Sequence, residues 1–325
     1  MYHIVFNVND GYIKYLSVLL YSIVKNTDNT GGGGGFVFHI LTDGLKHETE
    51  QKLQALETKL NEIYPCELHI YTLSDSVFQG LPKLNDNYLT YFRLKMATYL
   101  PKEIKTCLYL DVDMLCVSDI REIFYKDLQG KICGVVLDAH YLPSRIMPSI
   151  NGGNGFSLNI DTYFNAGLIL IDLEKYRNHN IEQKCFEWLK CYTPIWHDQD
   201  TLNAVLIDSV CILPLEWNFM TGHLENKPKS DFKGESKEFG LNYTYQEYIK
   251  AKNNVKILHY LTATKPWHTQ RCAYRSEWWK QAFNTPIFDK ELQTLYIQEQ
   301  ETTFYNLKNR LLSLLKTGLK KIFKF

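Results

Sequence analysis

Apolar and polar positions follow one another in short blocks along this 325-residue chain. Residues 3–8 read as a strand, the polar turn Asn9-Asp10-Gly11 follows, and Tyr15, Val18, Leu19, Ser22 and Ile23 then recur at the i+3 and i+4 spacing of a helix. A second strand over 36–41 precedes a helix over 47–60, and 67–71 reads as a third strand. A helix over 91–99 leads into the apolar run 107–117, with later strands at 134–137 and 166–171. This alternation predicts an α/β fold, a Rossmann-like nucleotide-binding domain with a mixed, mostly parallel sheet covered by helices. Beyond residue 215 the pattern weakens, and the Lys-, Asn- and Glu-rich stretch 225–255 reads as a lid, an acceptor-site insertion or a long loop. The run Gly31 to Gly35 reads as a flexible loop tip.

The C-terminal pattern is different. Phe304, Leu307, Leu311, Leu315, Leu319 and Ile322 form a helical stripe, with Lys308, Arg310, Lys316, Lys320 and Lys324 beside or opposite it. After Glu301 there are six bases and no acid, so a formally neutral chain divides into a body of about −6 and a basic tail. A basic amphipathic helix free of acids fits an anionic membrane surface, and the division expected is a catalytic domain over 1–280 and a helical region over 281–325, its tail at 303–325.

Composition, at 14% aromatic and 22% charged, is that of a globular protein and excludes a disordered one. Eight scattered cysteines without a Cys-x-x-Cys pair read as reduced core residues, which places the protein in a reducing cytoplasm. Neither a leader peptide nor a membrane span is expected from the pattern, nor a nucleic-acid partner.

The candidate chemistry starts at Asp111-Val112-Asp113, where two carboxylates interrupt the apolar run 107–117. Buried carboxylates are costly unless something positive holds them. At the carboxyl edge of a strand they can hold a hard divalent cation that pairs with phosphates, although a pair there can also cap a turn. Four more segments carry polar groups at apolar boundaries: Arg93 in Thr90 to Met96, Asn165 in Phe164 to Asp172, the cluster His197 to Asn203, and His259 with Lys265 in Val255 to His268. Arg93 suits phosphate or carboxylate, Asn165 a sugar hydroxyl beside the small residues Ala166 and Gly167, and His259 a third metal ligand.

Taken in order, Tyr91-Phe-Arg-Leu, Leu108-Tyr-Leu-Asp-Val-Asp, Phe164-Asn-Ala-Gly, Asp198-Gln-Asp, His259-Tyr and Lys265-Pro-Trp resemble glycosyltransferase family 8, especially bacterial lipooligosaccharide and lipopolysaccharide galactosyl- or glucosyltransferases. The resemblance implies a retaining enzyme of the GT-A fold that uses Mn²⁺ or Mg²⁺ and a UDP-sugar. Asp111, Asp113 and His259 match the metal ligands, and Val112 lies beside the uridine. Asn7, Val8 and Asn9 match the loop around uracil and ribose; Arg93, Asn165, Ala166, Asp198 and Gln199 match donor-sugar contacts; Lys265 matches a diphosphate contact. Gln199, Asp198 and Asp138 are the catalytic candidates, with Asp138 on the acceptor side. Two positions depart from the family: Asn7-Val8-Asn9 replaces a small pair followed by Asp, and Thr262 stands where a glycine near the diphosphate is usual.

The implied reaction takes galactose or glucose from UDP to a lipopolysaccharide or lipooligosaccharide hydroxyl, at the inner face of the cytoplasmic membrane. The competing readings are a nucleotidyltransferase, a catalytically silent sugar-nucleotide binder, and a membrane-associated scaffold.

Overall fold

Strand β1 (Tyr2–Asn7) is central because it is apolar on both faces: Ile4 and Phe6 enter one core and Val5 the other, the period-two alternation of a strand. The computed structural model describes residues 1–29, 33–83, 87–140, 145–158, 161–235 and 240–322, with backbone alone for 306, 307 and 309–322. Helix α1 (Ile13–Lys25) follows β1, then β2 (Phe36–Thr42), α2 (His47–Asn61) and β3 (Cys66–Thr72). Next come α3 (Met96–Tyr99), β4 (Thr106–Leu110), β5 (Met114–Cys116), β6 (Cys133–Leu137), β7 (Arg145–Met147), β8 (Phe156–Leu158) and β9 (Phe164–Asp172). The chain continues through α4 (Leu173–Asn178), α5 (Ile181–Leu189), α6 (His197–Val205), β10 (Val210–Ile212), β11 (Phe219–Met220) and α7 (Thr221–Leu224). It closes with α8 (Tyr245–Lys252), β12 (Ile257–His259), α9 (Arg275–Ala282) and α10 (Asp289–Ile322).

The main sheet has the order β10-β6-β9-β4-β1-β2-β3. Its pairings are parallel except at β9, which runs antiparallel to both β4 and β6, so the expected mixed, mostly parallel sheet is present. A register shift between Val135 and Val136 bends β6 where it meets Asn165, at the end of the sheet that carries the site.

Asp111-Val112-Asp113 marks the point where the chain leaves this sheet. Strand β4 ends at Leu110, and β5 joins a second sheet of order β11-β12-β5, with Met114 opposite His259. A small mixed sheet, β11 parallel and β5 antiparallel to β12, thereby carries His259, 146 positions beyond Asp113 in sequence, to the edge of the main one.

Several sequence expectations change. The helix expected over 91–99 is a 3₁₀ segment (Leu89–Lys95) followed by the single turn α3. Tyr91, Phe92, Arg93 and Leu94 are all buried, so there is no polar face for a regular amphipathic helix. The stretch 225–255 is more than a loop: Phe232, Tyr243 and Tyr248 enter the core, and α8 starts with a Thr244–Glu247 capping box. Gly31 and Gly32 lie outside the described residues, whereas Gly35 is packed, with a Cβ there only 2.5 Å from the Pro65 carbonyl oxygen. Close backbone approach, rather than flexibility alone, requires glycine at 35.

Trp278, Trp279, Phe288 and Leu292 continue the core that contains α1, and Tyr15 stacks on Trp267 at 4.1 Å. Among the described residues no helix is long and apolar enough to cross a membrane. Helix α10 is present, with Phe304 and Tyr305 exposed, while the side chains of Leu307, Leu311, Leu315, Leu319 and Ile322 and of the tail bases from Arg310 onward lie outside the described ones.

Candidate active site

Asp111, Asp113 and His259 converge within 4.8 Å of one another. His259 Nε2 lies 3.2 Å from Asp113 Oδ1 and 3.9 Å from Asp111 Oδ2. Adjacent ligands held about 2.1 Å from a small divalent cation are about 3 Å apart, so the spacing suits one ion. The ring is fully buried, and its Nε2 has no hydrogen-bond partner among the described residues. An unsatisfied buried nitrogen facing two carboxylates is expensive without a cation, and the donor set fits manganese or magnesium. Burial opposes ionisation of Asp113, but Lys265 and His259 outweigh it and hold its carboxyl well below the usual range.

Arg93 lies under the same edge. Its Nη2 donates to Asp111 Oδ1 at 2.8 Å, Nη1 to the Ala166 carbonyl at 2.6 Å, and Nε lies 3.1 Å from Asp198 Oδ2. The guanidinium also sits 4.2 Å from the centre of the Tyr109 ring, whose hydroxyl donates to Asp111 Oδ1. Burial favours loss of the Arg93 charge, but Asp111 and Asp198 reverse that and keep it protonated. Burial pushes Asp198 up to about 6, against the opposing pull of Arg93 and with a further rise from Asp111.

The polar cluster on α6 divides into separate tasks. Asp198 pairs with Arg93; Asp200 accepts from the Ile195 and Trp196 amides and the Tyr163 hydroxyl, and lies 3.0 Å from Arg145 Nε. Asn203 pairs with both backbone groups of Phe164, which fixes α6 to β9. Gln199 Oε1 accepts from the Ala166 amide and from Asn165 Nδ2, while its Nε2 donates to Asp138 Oδ2 and the Tyr163 hydroxyl.

These residues surround a cavity of about 570 Å³, whose walls include Arg93, Asp111, Asp138, Asn165, Ala166, Asp198, Gln199 and Thr262. Thr262 has φ +72°, the left-handed region where a glycine is at ease and a β-branched residue is strained. Lys265 pairs with Asp113 and donates to the Tyr260 carbonyl.

The first loop is arranged differently from the rest. Asn7 is buried, donating to the Leu89 carbonyl, and Val8 is a core residue whose amide donates to Leu41. Asn9 accepts from the Tyr12 amide and lines a second, open cleft of about 590 Å³ with Tyr12, Asp43, Lys46 and His268. Val112 packs half-buried against the core beside α1.

Sequence reasoning missed Asn218, Tyr109, Asp200 as a brace, and the two histidines His140 and His223 on the cavity wall, whose rings meet at 4.1 Å. Only Asp200 carried a signal, as one acid too many for a helix cap.

Comparison with known proteins defines the class to which this site belongs. The sequence profile described as Glycosyl transferase family 8 matches residues 3–271, and the chain belongs to that family. It is 24% identical over 290 residues to a lipopolysaccharide 1,2-glucosyltransferase of Escherichia coli, covering 87% of this chain and 78% of that protein. It is 28% identical over 255 residues to a lipopolysaccharide 1,3-galactosyltransferase of Salmonella typhimurium, covering 75% and 68%. The fold is shared with the galactosyltransferase LgtC, solved with donor and acceptor sugar analogues, at TM-score 0.67 and 23% identity over 90% of this chain and 99% of that one. The bifunctional glycosyltransferase WbbM gives TM-score 0.72 and 20% identity over 90% and 51%. The protein is thus a glycosyltransferase of GT-A type, as the sequence motifs imply.

Proposed function

We propose that this protein is a metal-dependent, retaining hexosyltransferase that moves galactose or glucose from UDP to a sugar hydroxyl of lipopolysaccharide or lipooligosaccharide. The observation that carries the reading is the buried Nε2 of His259, unpartnered among the described residues, facing Asp111 and Asp113 beside a cavity that Asp111 lines. Manganese or magnesium held by these three residues would neutralise charge developing on the UDP leaving group. The relatives named above for glucosyl and galactosyl transfer to lipopolysaccharide support the donor and acceptor classes.

Each side chain then has a task. The segment Asn7, Val8 and Asn9, with Val112, borders the uridine; because the Val8 side chain is buried, its backbone is what faces the ligand. Lys265 exchanges Asp113 for the diphosphate, and Thr262 borders the same groups. Arg93, Asn165, Ala166, Asp198 and Gln199 orient the hexose, and Asp138 lies toward the acceptor.

Gln199 has both ends of its amide engaged, with Oε1 accepting two hydrogen bonds, so it is poorly placed to act as a nucleophile. Asp198 is paired with Arg93, and Asp138 accepts from Asn165 and Gln199, so the reading taken is that the acceptor hydroxyl attacks from the face that UDP leaves: the C1–O bond to phosphate breaks, the new C1–O bond forms, and the acceptor proton passes to the departing phosphate oxygen. Proton NMR of the product from an α-linked UDP-hexose tests the retaining transfer, with an α-linked sugar and free UDP expected. A β-linked product, or release of pyrophosphate as from a nucleotidyltransferase, contradicts it. Attachment to an anionic membrane through residues 303–325 belongs to the same proposal, since it brings the cavity to a glycolipid acceptor.

A further inference from the structure

The hydrogen bonds around Asn165 have a direction that can be read from their ends. At one end, the Gly167 backbone amide can only donate, and it donates to Asn165 Oδ1 at 3.1 Å. At the other, Asp138 Oδ2, in a carboxylate group, accepts from Asn165 Nδ2 at 3.4 Å and from Gln199 Nε2 at 3.2 Å. Asn165 Oδ1 is therefore an acceptor, and the group of Asn218 that lies 2.9 Å from it must be the donor, Nδ2. The remaining atom of that amide, Oδ1, then faces His259 Nδ1 at 2.8 Å and can only accept. His259 must carry a proton on Nδ1, so Nε2, buried and facing Asp111 and Asp113, is the ring nitrogen left to meet a cation.

We infer that Asn218 is a positioning residue that fixes His259 in the tautomer competent for a metal ligand and couples that orientation to the donor-sugar contact Asn165. The inference rests on the cation site proposed above. Asn218 is fully buried, at the end of a short turn (Leu215–Asn218) that runs directly into β11, the partner strand of β12. Asn218 Oδ1 holds His259 Nδ1, and Asn218 Nδ2 reaches Asn165 Oδ1 beside the Gly167 amide. A single amide thus joins the metal end of the site to the sugar end. Loss of a group that orients a ligating histidine costs about 10–100-fold in metal affinity.

The test uses the full chain freed of metal with EDTA, and reads Mn²⁺ binding by electron paramagnetic resonance without any turnover. Asn218→Leu, which removes both contacts, is expected to weaken Mn²⁺ binding about 10–100-fold, whereas Asn218→Asp keeps the acceptor for Nδ1 and stays within about threefold of wild type. Asn218→Asp also loses the donor to Asn165, so its kcat for sugar transfer falls although Mn²⁺ still binds. Equal Mn²⁺ affinity in wild type and Asn218→Leu, or equal losses in both variants, overturns the inference. The metal-free wild type supplies a readout that needs no Asn218 variant to fold: ¹⁵N-histidine NMR, with His259→Asn for assignment, is expected to show His259 protonated on Nδ1. A bare Nδ1, with the proton on Nε2 alone, overturns the inference directly. If wild type itself binds no Mn²⁺, the metal reading fails, while the tautomer spectrum still decides the role of Asn218.

Discussion

Gly167 lies against the imidazole of His259 so closely that a methyl group at 167 would collide with ring atom Cε1. The same methyl would come within 2.9 Å of Asp111 Oδ2 and 3.0 Å of Asn165 Oδ1. Strand β9 thus passes under the Asp111–Asp113–His259 cluster at a distance that only a residue without a side chain allows.

Gly167→Ala should therefore damage function more than fold. The added carbon must displace His259 or Asp111 by a few tenths of an ångström or more, and misplacements of up to about 1 Å cost as much as 100-fold in rate. We expect a loss approaching that size in sugar transfer, together with weaker Mn²⁺ binding and a near-native circular dichroism spectrum. Unchanged transfer would mean that the ligands do not need this approach.

Asp198 gives a pH dependence whose sign follows from its raised value. Its carboxyl is near 3.8 when exposed and about 6 in the fold, so between these values the native state holds a proton that the unfolded chain has lost. Stability from this group is present below about pH 4 and is lost as pH rises toward 6, by about 3 kcal/mol in all. Chemical unfolding in EDTA at pH 4 and pH 7 should show the wild type losing about that much more stability than Asp198→Asn over the interval. Parallel changes in the two proteins would remove Asp198 as the source.

Thr262 carries strain that a glycine would relieve. With φ at +72°, a β-branched residue is disfavoured by about 1–2 kcal/mol, part of which the greater freedom of unfolded glycine offsets. Thr262→Gly is expected to gain about 1 kcal/mol, a rise of about 2 °C in Tm by calorimetry. A lower Tm would mean that the Thr262–Thr264 hydroxyl contact at 2.8 Å outweighs the strain.

The C-terminal helix extends to Ile322, and residues after Glu301 carry six bases and no acid. Each base near an anionic surface contributes about 1 kcal/mol. A chain ending at residue 302 should be released from vesicles containing anionic lipid yet still hydrolyse donor. Equal vesicle binding by the shortened chain contradicts the membrane role of the tail.

The sheet was legible where burial wrote continuous apolar runs, as in Ala166 to Ile171, and the aspartates stood out because they interrupt one. His259, Arg93 and Asn165 were recognisable from ordered motifs, because each follows or precedes a segment of fixed pattern. Asn218 was not, since a single amide in Leu215-Glu-Trp-Asn218 has no period and acquires its role only when β11 and β12 pair. Tyr109 read as one more apolar strand residue, although its hydroxyl meets Asp111. The segment from Leu89 to Lys95 read as a regular helix because local spacing does not reveal packing on every side.

In the proposed reaction Asp113 helps to hold a cation on which transfer from a UDP-hexose depends. The most direct measurement is UDP release by the purified protein with UDP-galactose and UDP-glucose in turn, in Mn²⁺ or EDTA, alongside Asp113→Asn. Release from one donor that disappears both in EDTA and in Asp113→Asn is the result expected. Release that continues unchanged in EDTA or in Asp113→Asn would contradict it.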